Sequence, residues 1–195
     1  MRVLLIYCHP RADSYNAAVH REALRALREA GHEVDDCDLH AEGFNPVLGA
    51  ADLGLYPQSP ANRAPVQAYV DRLLNAQALV FVFPVWNFGL PAMLKGWFDR
   101  VLLPGVSFDM SDPRHIQPGL THLRHVVALT TYGTPRWRAW YLGDAPRTLM
   151  RRFMRRLTDG RASIRYLPLH GMNTATPAMR EAHLQRAAAA MRKIT

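Results

Sequence analysis

"ALVFVFPVW", residues 78–86, is the stretch on which the reading of this chain turns. It carries no charge and is rich in β-branched and aromatic side chains. At about half of the roughly 18 apolar residues that a bilayer span needs, it is too short to cross a membrane. A strand with one wet face would alternate apolar and polar residues. This one does not, so it is expected to be buried on both faces, as the central strand of a parallel sheet is. Parallel strands need long crossover connections, and these are usually helices, so helices on both faces of a sheet are predicted.

The flanking sequence repeats that logic. "RVLLIYC" (2–8), "HEVDDCDLH" (32–40), "RHVVALTTYG" (124–133) and "ASIRYLPLHG" (162–171) read as four further strands. Between them, helical spacing of apolar residues predicts helices over 15–31, 65–76, 91–102, 145–160 and 177–193. Gly31 is expected to stop the first of these, and Pro91 to sit in the first turn of the third. In the fourth, Leu149, Met150, Phe153, Met154 and Leu157 are expected to bury, with Arg151, Arg152, Arg155 and Arg156 on another side. Residues 104–122 read as a long, proline-containing loop, and "FNP" (44–46) and "QSPANRAP" (58–65) as turns. The β-α unit thus recurs five times. The expected fold is α/β, a five-stranded parallel sheet with helices on both faces, formed by one domain over 1–195.

Composition narrows the function classes. Apolar residues make up 49% and charged residues 21% of the chain, a globular balance. Cys8 and Cys37 are the only cysteines and lie in no CxxC or ligand-spaced set, and the nine histidines are scattered, so no metal site is expected. A reducing cytoplasmic setting follows as the simplest expectation, with neither a secretory signal nor an integral membrane segment. Residues 136–165 hold nine Arg against two Asp and so account for most of the formal net charge of +8. No nucleic-acid reading motif accompanies that basic stretch, so a nucleic-acid partner is not expected. GxGxxG after a strand, GxxxxGK[ST], HExxH and GxSxG are all missing.

Ligands of an open parallel sheet sit beyond the carboxyl ends of the strands. Three such loops stand out: "HPRADSYN" (9–16), "PVWNFG" (84–89) and "TTYGTP" (130–135). The first places hydroxyl, amide and basic groups at a helix N-terminus, which suits a phosphate. The other two offer aromatic edges, free backbone N–H groups and Gly133. A flat heterocycle with a phosphate tail fits that combination.

These residues carry a resemblance. "HPRADSYN", "FNP", "FPVWNFGLPAMLKGWFDRVLLPGVSF" and "TTYG" together resemble the flavodoxin-like NAD(P)H:quinone oxidoreductase family over almost the full length. The resemblance implies a three-layer sandwich with strand order 2-1-3-4-5 and a non-covalently held flavin. FMN is expected, with FAD as the alternative, because the chain lacks the long C-terminal extension of the larger FAD-binding members. By resemblance, Ser14, Tyr15 and Asn16 would hold the flavin phosphate with His9 beside it. Pro84, Val85, Trp86, Asn87 and Phe88 would line the isoalloxazine, and Thr131, Tyr132 and Gly133 would lie under its pyrimidine end. The backbone of Tyr132 and Gly133 would then stabilise negative charge there. NAD(P)H as cosubstrate, a quinone-like acceptor, ping-pong turnover and a homodimer are also implied.

Tyr132 stands where members of the group usually have glycine, and "TPRWRAWYLGD" (134–144) has no convincing match to their substrate residues. The alternative function is that of an ancillary flavoprotein subunit regulating a potassium efflux system, for which a basic face would serve docking.

Overall fold

The computed structural model describes residues 1–112 and 114–195; position 113, inside the stretch read as a long loop, lies outside the described residues. Five parallel strands form the main sheet: β1 (Arg2–Tyr7), β2 (Glu33–Asp38), β3 (Ala78–Val85), β6 (His125–Tyr132) and β7 (Ser163–Leu169). Their order is β2-β1-β3-β6-β7. This is the expected 2-1-3-4-5 arrangement, since β4 (Phe108–Asp109) and β5 (Gln117–Pro118) form a separate antiparallel pair within the loop.

β3 is central and buried from Ala78 to Pro84. Its side chains alternate between two cores. Leu79, Phe81 and Phe83 enter one, against Val70 and Leu73 of α3 (Gln67–Asn75) and Leu94 and Trp97 of α4 (Ala92–Val101). Ala78, Val80 and Val82 enter the other, against Val19, Ala23 and Leu27 of α1 (Tyr15–Glu29) and Ala187, Ala188 and Met191 of α8 (Pro177–Met191). Large side chains thus fill one face and small ones the other, where α1 and α8 present alanines. Burying Leu79, Val80, Phe81, Val82 and Phe83 contributes roughly 1.5–3 kcal/mol each, a large share of a domain's net stability.

Helix ends follow their chemistry. The Ser14 side chain accepts a hydrogen bond from Ala17 N–H (3.1 Å) and so caps α1, and the chain leaves that helix through Gly31 at φ 78°. Pro91 is the residue before α4 and not its first helical residue. Two short helices were not foreseen: α2 (Ala50–Leu55), which buries no residue, and α5 (Arg136–Tyr141), which buries only Ala139. Neither has an apolar face long enough to show periodicity. A 3-10 turn over Ala61–Val66 also shortens the helix read from 65.

The basic helix departs from its expected faces. It runs as α6 (Ala145–Thr148), a π turn (Leu149–Phe153) and α7 (Met154–Leu157). Met154 N–H reaches back to Leu149 C=O, one residue beyond α spacing. That extra residue rotates what surrounds it. Met150, Met154 and Leu157 are buried as expected, but Phe153 is 40% exposed. Arg156 likewise leaves the arginine face and donates to the Ile116 carbonyl (2.7 Å).

The "FNP" turn is pressed onto α4. Arg100 Nη1 donates to the Asn45 carbonyl (2.6 Å), and a Cβ at position 96 would come within 2.3 Å of the Pro46 carbonyl oxygen. Because backbone cannot yield as a side chain can, Gly96→Ala is expected to lower stability by about 1–3 kcal/mol, read as a lower urea midpoint. An unchanged midpoint would show that the turn moves freely.

Candidate functional site

The strand order reverses between β1 and β3, so the crevice beyond their carboxyl ends is where a ligand of this sheet belongs. Two contacts stitch its loops together. His9, after β1, meets Trp86, after β3, edge to face at 5.7 Å between ring centroids. Asn16 Nδ2, in the first turn of α1, donates to Thr131 Oγ1 near the end of β6 (2.9 Å).

At the β1 loop, Tyr15 and Asn16 start α1, and their backbone N–H groups have no partner among the described residues. Arg11 N–H donates to His9 Nδ1 (3.1 Å), so a neutral His9 ring carries its proton on Nε2. Partial burial, the largest influence, holds His9 below the ordinary histidine range, and the ring is therefore a neutral donor at neutral pH. Arg11 is occupied by Asp13 through two hydrogen bonds (2.9 and 2.7 Å). The backbone donors and His9 Nε2–H are the groups that this loop could offer to an anion.

At the β3 loop, Trp86 and Gly89 bond each other's backbone across a tight turn: Gly89 N–H to Trp86 C=O at 2.9 Å and the reverse at 3.3 Å. Asn87 (φ 48°) and Phe88 (φ 59°) both take the left-handed conformation, unusual for a phenylalanine and costing on the order of 1–2 kcal/mol. The turn leaves the N–H groups of Asn87 and Phe88 unpaired among the described residues. Val85, Trp86, Asn87 and Phe88 face Tyr132, Gly133 and Thr134 across a cleft of about 410 Å³.

The expected site residues therefore divide. His9, Trp86, Asn16 and Thr131 are joined by the contacts above, and Val85 to Phe88 share the cleft with Tyr132 and Gly133. The Ser14 hydroxyl is occupied in part by its capping bond. Tyr15 turns its side chain away, the hydroxyl donating to the Arg180 carbonyl (2.8 Å) beside His183, so only its backbone faces the loop. The Asn16 amide is committed to Thr131, with Oδ1 buried and unpartnered. Pro84 is buried in β3 and does not line the cleft.

Tyr132 commits its hydroxyl elsewhere: it donates to Asp144 Oδ1 (2.5 Å) and meets the Tyr166 hydroxyl, while its ring packs on His170 at 4.5 Å. Burial, above all, pushes both phenols well above the usual tyrosine range, so they stay protonated. The sequence reading missed Asn173, whose amide stands 3.3 Å from where a Cβ at Gly133 would be. Only Gly171, at positive φ before that short turn, hinted at a constrained bend. Among the described residues no group of three or more His, Cys, Asp or Glu is placed to hold a metal ion, and no helix is long and apolar enough to cross a membrane.

Asn16→Ala would leave Thr131 without its donor in a buried setting and is expected to cost about 1–3 kcal/mol of stability, measured by urea denaturation. No change would mean that the two loops are held together by something else.

The family model described as Flavodoxin-like fold matches residues 1–194. NAD(P)H dehydrogenase (quinone) 1 of Rattus norvegicus is 35% identical over 149 residues, covering 68% of this chain and 54% of that protein. The chain thus spans about half the length of that curated relative. Among solved structures, the NAD(P)H:quinone oxidoreductase from Methanothermobacter marburgensis superposes with a TM-score of 0.84 at 26% identity, covering 100% of this chain and 99% of that one. An FMN-dependent NADH-azoreductase from Bacillus anthracis, in complex with FMN, shares the fold with a TM-score of 0.79 at 16% identity, covering 99% and 98% of the two chains.

Proposed function

Because the chain belongs to the Flavodoxin-like fold family, we propose that residues 1–195, acting as one domain, form a flavin-dependent oxidoreductase. It passes a hydride from NAD(P)H through non-covalently bound FMN, or FAD, to a quinone or similar acceptor. The observation that carries this reading is the convergence of an anion cradle at α1 and a 410 Å³ cleft at β3 and β6 on one crevice, stitched by His9–Trp86 and Asn16–Thr131. The relatives named for quinone reduction support the activity.

The residues present fit the group. Tyr15 and Asn16 N–H, His9 Nε2–H and the Ser14 hydroxyl would hold its phosphate. Val85, Trp86, Asn87 and Phe88 would wall its ring, with Pro84 buried behind them and Thr131, Tyr132 and Gly133 at the pyrimidine end. When bound, the flavin supplies the hydride chemistry. The chain orients it, and the unpaired N–H groups of the left-handed Asn87–Phe88 turn offer hydrogen bonds to its polar edge without reorganising. Donor and acceptor would share this cleft and enter it in turn, which is ping-pong behaviour. Anaerobic NAD(P)H should bleach the flavin-loaded protein and a benzoquinone should restore its colour, with parallel double-reciprocal plots. Bound flavin that NAD(P)H leaves oxidised would overturn the reading.

Loss of one hydrogen bond to a charged phosphate costs about 1.5–3 kcal/mol. Ser14→Ala is therefore expected to weaken flavin binding by about that amount in a fluorescence titration. Unchanged affinity would reduce Ser14 to a helix cap.

The same reading takes the protein to be a cytoplasmic homodimer. Both cysteines are free and buried, and burial pushes the Cys8 thiol up to about 12, so neither is poised for oxidation. An open apolar cleft of about 910 Å³, lined by Leu48, Leu53, Phe98, Leu142, Leu149 and Phe153 among others, fits a second copy of the chain. Phe153→Glu is expected to shift sedimentation toward the monomer with the far-UV spectrum unchanged. An unaltered dimer would place the interface elsewhere.

A further inference from the structure

Behind Tyr132, on the far side of its bond to Asp144, lies another cavity, of about 550 Å³. Arg147, Arg151, Arg152 and Arg155 line it, with Trp140 of α5 and Ile164 of edge strand β7. Some arginines elsewhere in the chain are matched: Arg25 with Glu22, Arg72 with Asp35, Arg100 with Asp52. Among the described residues, none of these four forms an ion pair or a side-chain hydrogen bond. Asp144 is the one carboxylate on the cavity wall, and its Oδ1 already accepts from Tyr132. Four guanidinium groups facing one space repel each other, and an anion from outside relieves that repulsion. Trp140 is 77% exposed at the rim.

We propose that this groove binds the phosphates of a nucleotide, with Trp140 as the stacking face for the base. The planar guanidinium forks match phosphate oxygens two at a time, and an exposed indole stacks on any base. Size favours a single small molecule. The cavity lies within the range of ligand pockets, about 300–1,000 Å³. Arg147 to Arg155 span only about 12 Å of helix, the extent of one nucleotide and its phosphates and not of a nucleic-acid track. Two sources share this chemistry: the phosphate-bearing adenosine half of NADPH, which would rest on the flavin reading above, and a free nucleotide such as ATP, which would not.

The test is a titration of the flavin-loaded protein with ATP and with 2′,5′-ADP, followed by calorimetry and by tryptophan fluorescence. Saturable binding is expected with Kd below about 1 mM, weakening as salt screens the charges. Joint replacement by Arg147→Gln, Arg151→Gln, Arg152→Gln and Arg155→Gln should weaken it by about tenfold or more. Trp140→Ala should weaken it by about three- to tenfold and remove the fluorescence change. Flavin content, read from the visible spectrum, and far-UV circular dichroism should stay unchanged in both variants, so failure here is distinct from failure of the flavin site.

If NADPH is the source, 2′,5′-ADP competes with it and the arginine variant raises KM for NADPH more than for NADH at unchanged kcat. If a free nucleotide is the source, binding persists without competition. Absence of saturable binding at about 1 mM, or binding that survives both variants, overturns the proposal. So does a preference for oligonucleotides that grows with their length.

Discussion

Burial of β3 on both faces is the constraint on which the rest of the structure depends. A strand whose side chains alternate between two dry cores cannot lie at an edge, and its neighbours must supply every backbone partner. β1 and β6 do so along its length, from Val3↔Ala78 to Val85↔Tyr132. The cores on either side then dictate the helices: aromatic and aliphatic bulk from α3, α4 and the α6–α7 helix on one face, alanine-rich surfaces of α1 and α8 on the other. Polar loops are left only at the strand ends, where three of them meet.

That meeting place is held with little to spare. The Asn16–Thr131 bond and the His9–Trp86 contact bridge segments far apart in sequence at the carboxyl ends of the strands. The strained Asn87–Phe88 turn would relax if either neighbour gave way. Backbone N–H groups dominate the donor inventory, at the start of α1 and in that turn. Such donors move only if the fold moves, and for that reason they suit a site that must hold a cofactor in one orientation. Arg147, Arg151, Arg152 and Arg155, which form no ion pair among the described residues, are a separate electrostatic feature beyond the Tyr132–Asp144 bond.

Much of this was legible in the sequence, and the reasons are physical. β1, β3 and β6 announce themselves through unbroken apolar runs, because a strand buried on both faces has no polar side to show. Ser14 announces α1 because a cap residue serves the helix locally. What the sequence hid was non-local or too short to repeat. Asn16 points at Thr131, 115 residues away, and nothing near Asn16 signals it. Tyr132 reads as a substitution for glycine, yet its side chain builds a buried group with Asp144 and Tyr166. The π turn over Leu149–Phe153 changes hydrogen-bond register without changing composition, so Phe153 and Arg156 were assigned to the wrong sides. α2 and α5 bury too little to leave a pattern.

The central claim is that the N-terminus of α1 is built for the phosphate of a flavin whose ring occupies the β3–β6 cleft. Calorimetric titration with FMN and with riboflavin, which differ only in that phosphate, tests it most directly. The account expects FMN to bind at least about a hundredfold more tightly, which corresponds to about 2.7 kcal/mol, the contribution of at least one charge-assisted hydrogen bond. Equal affinities for the two flavins would contradict it.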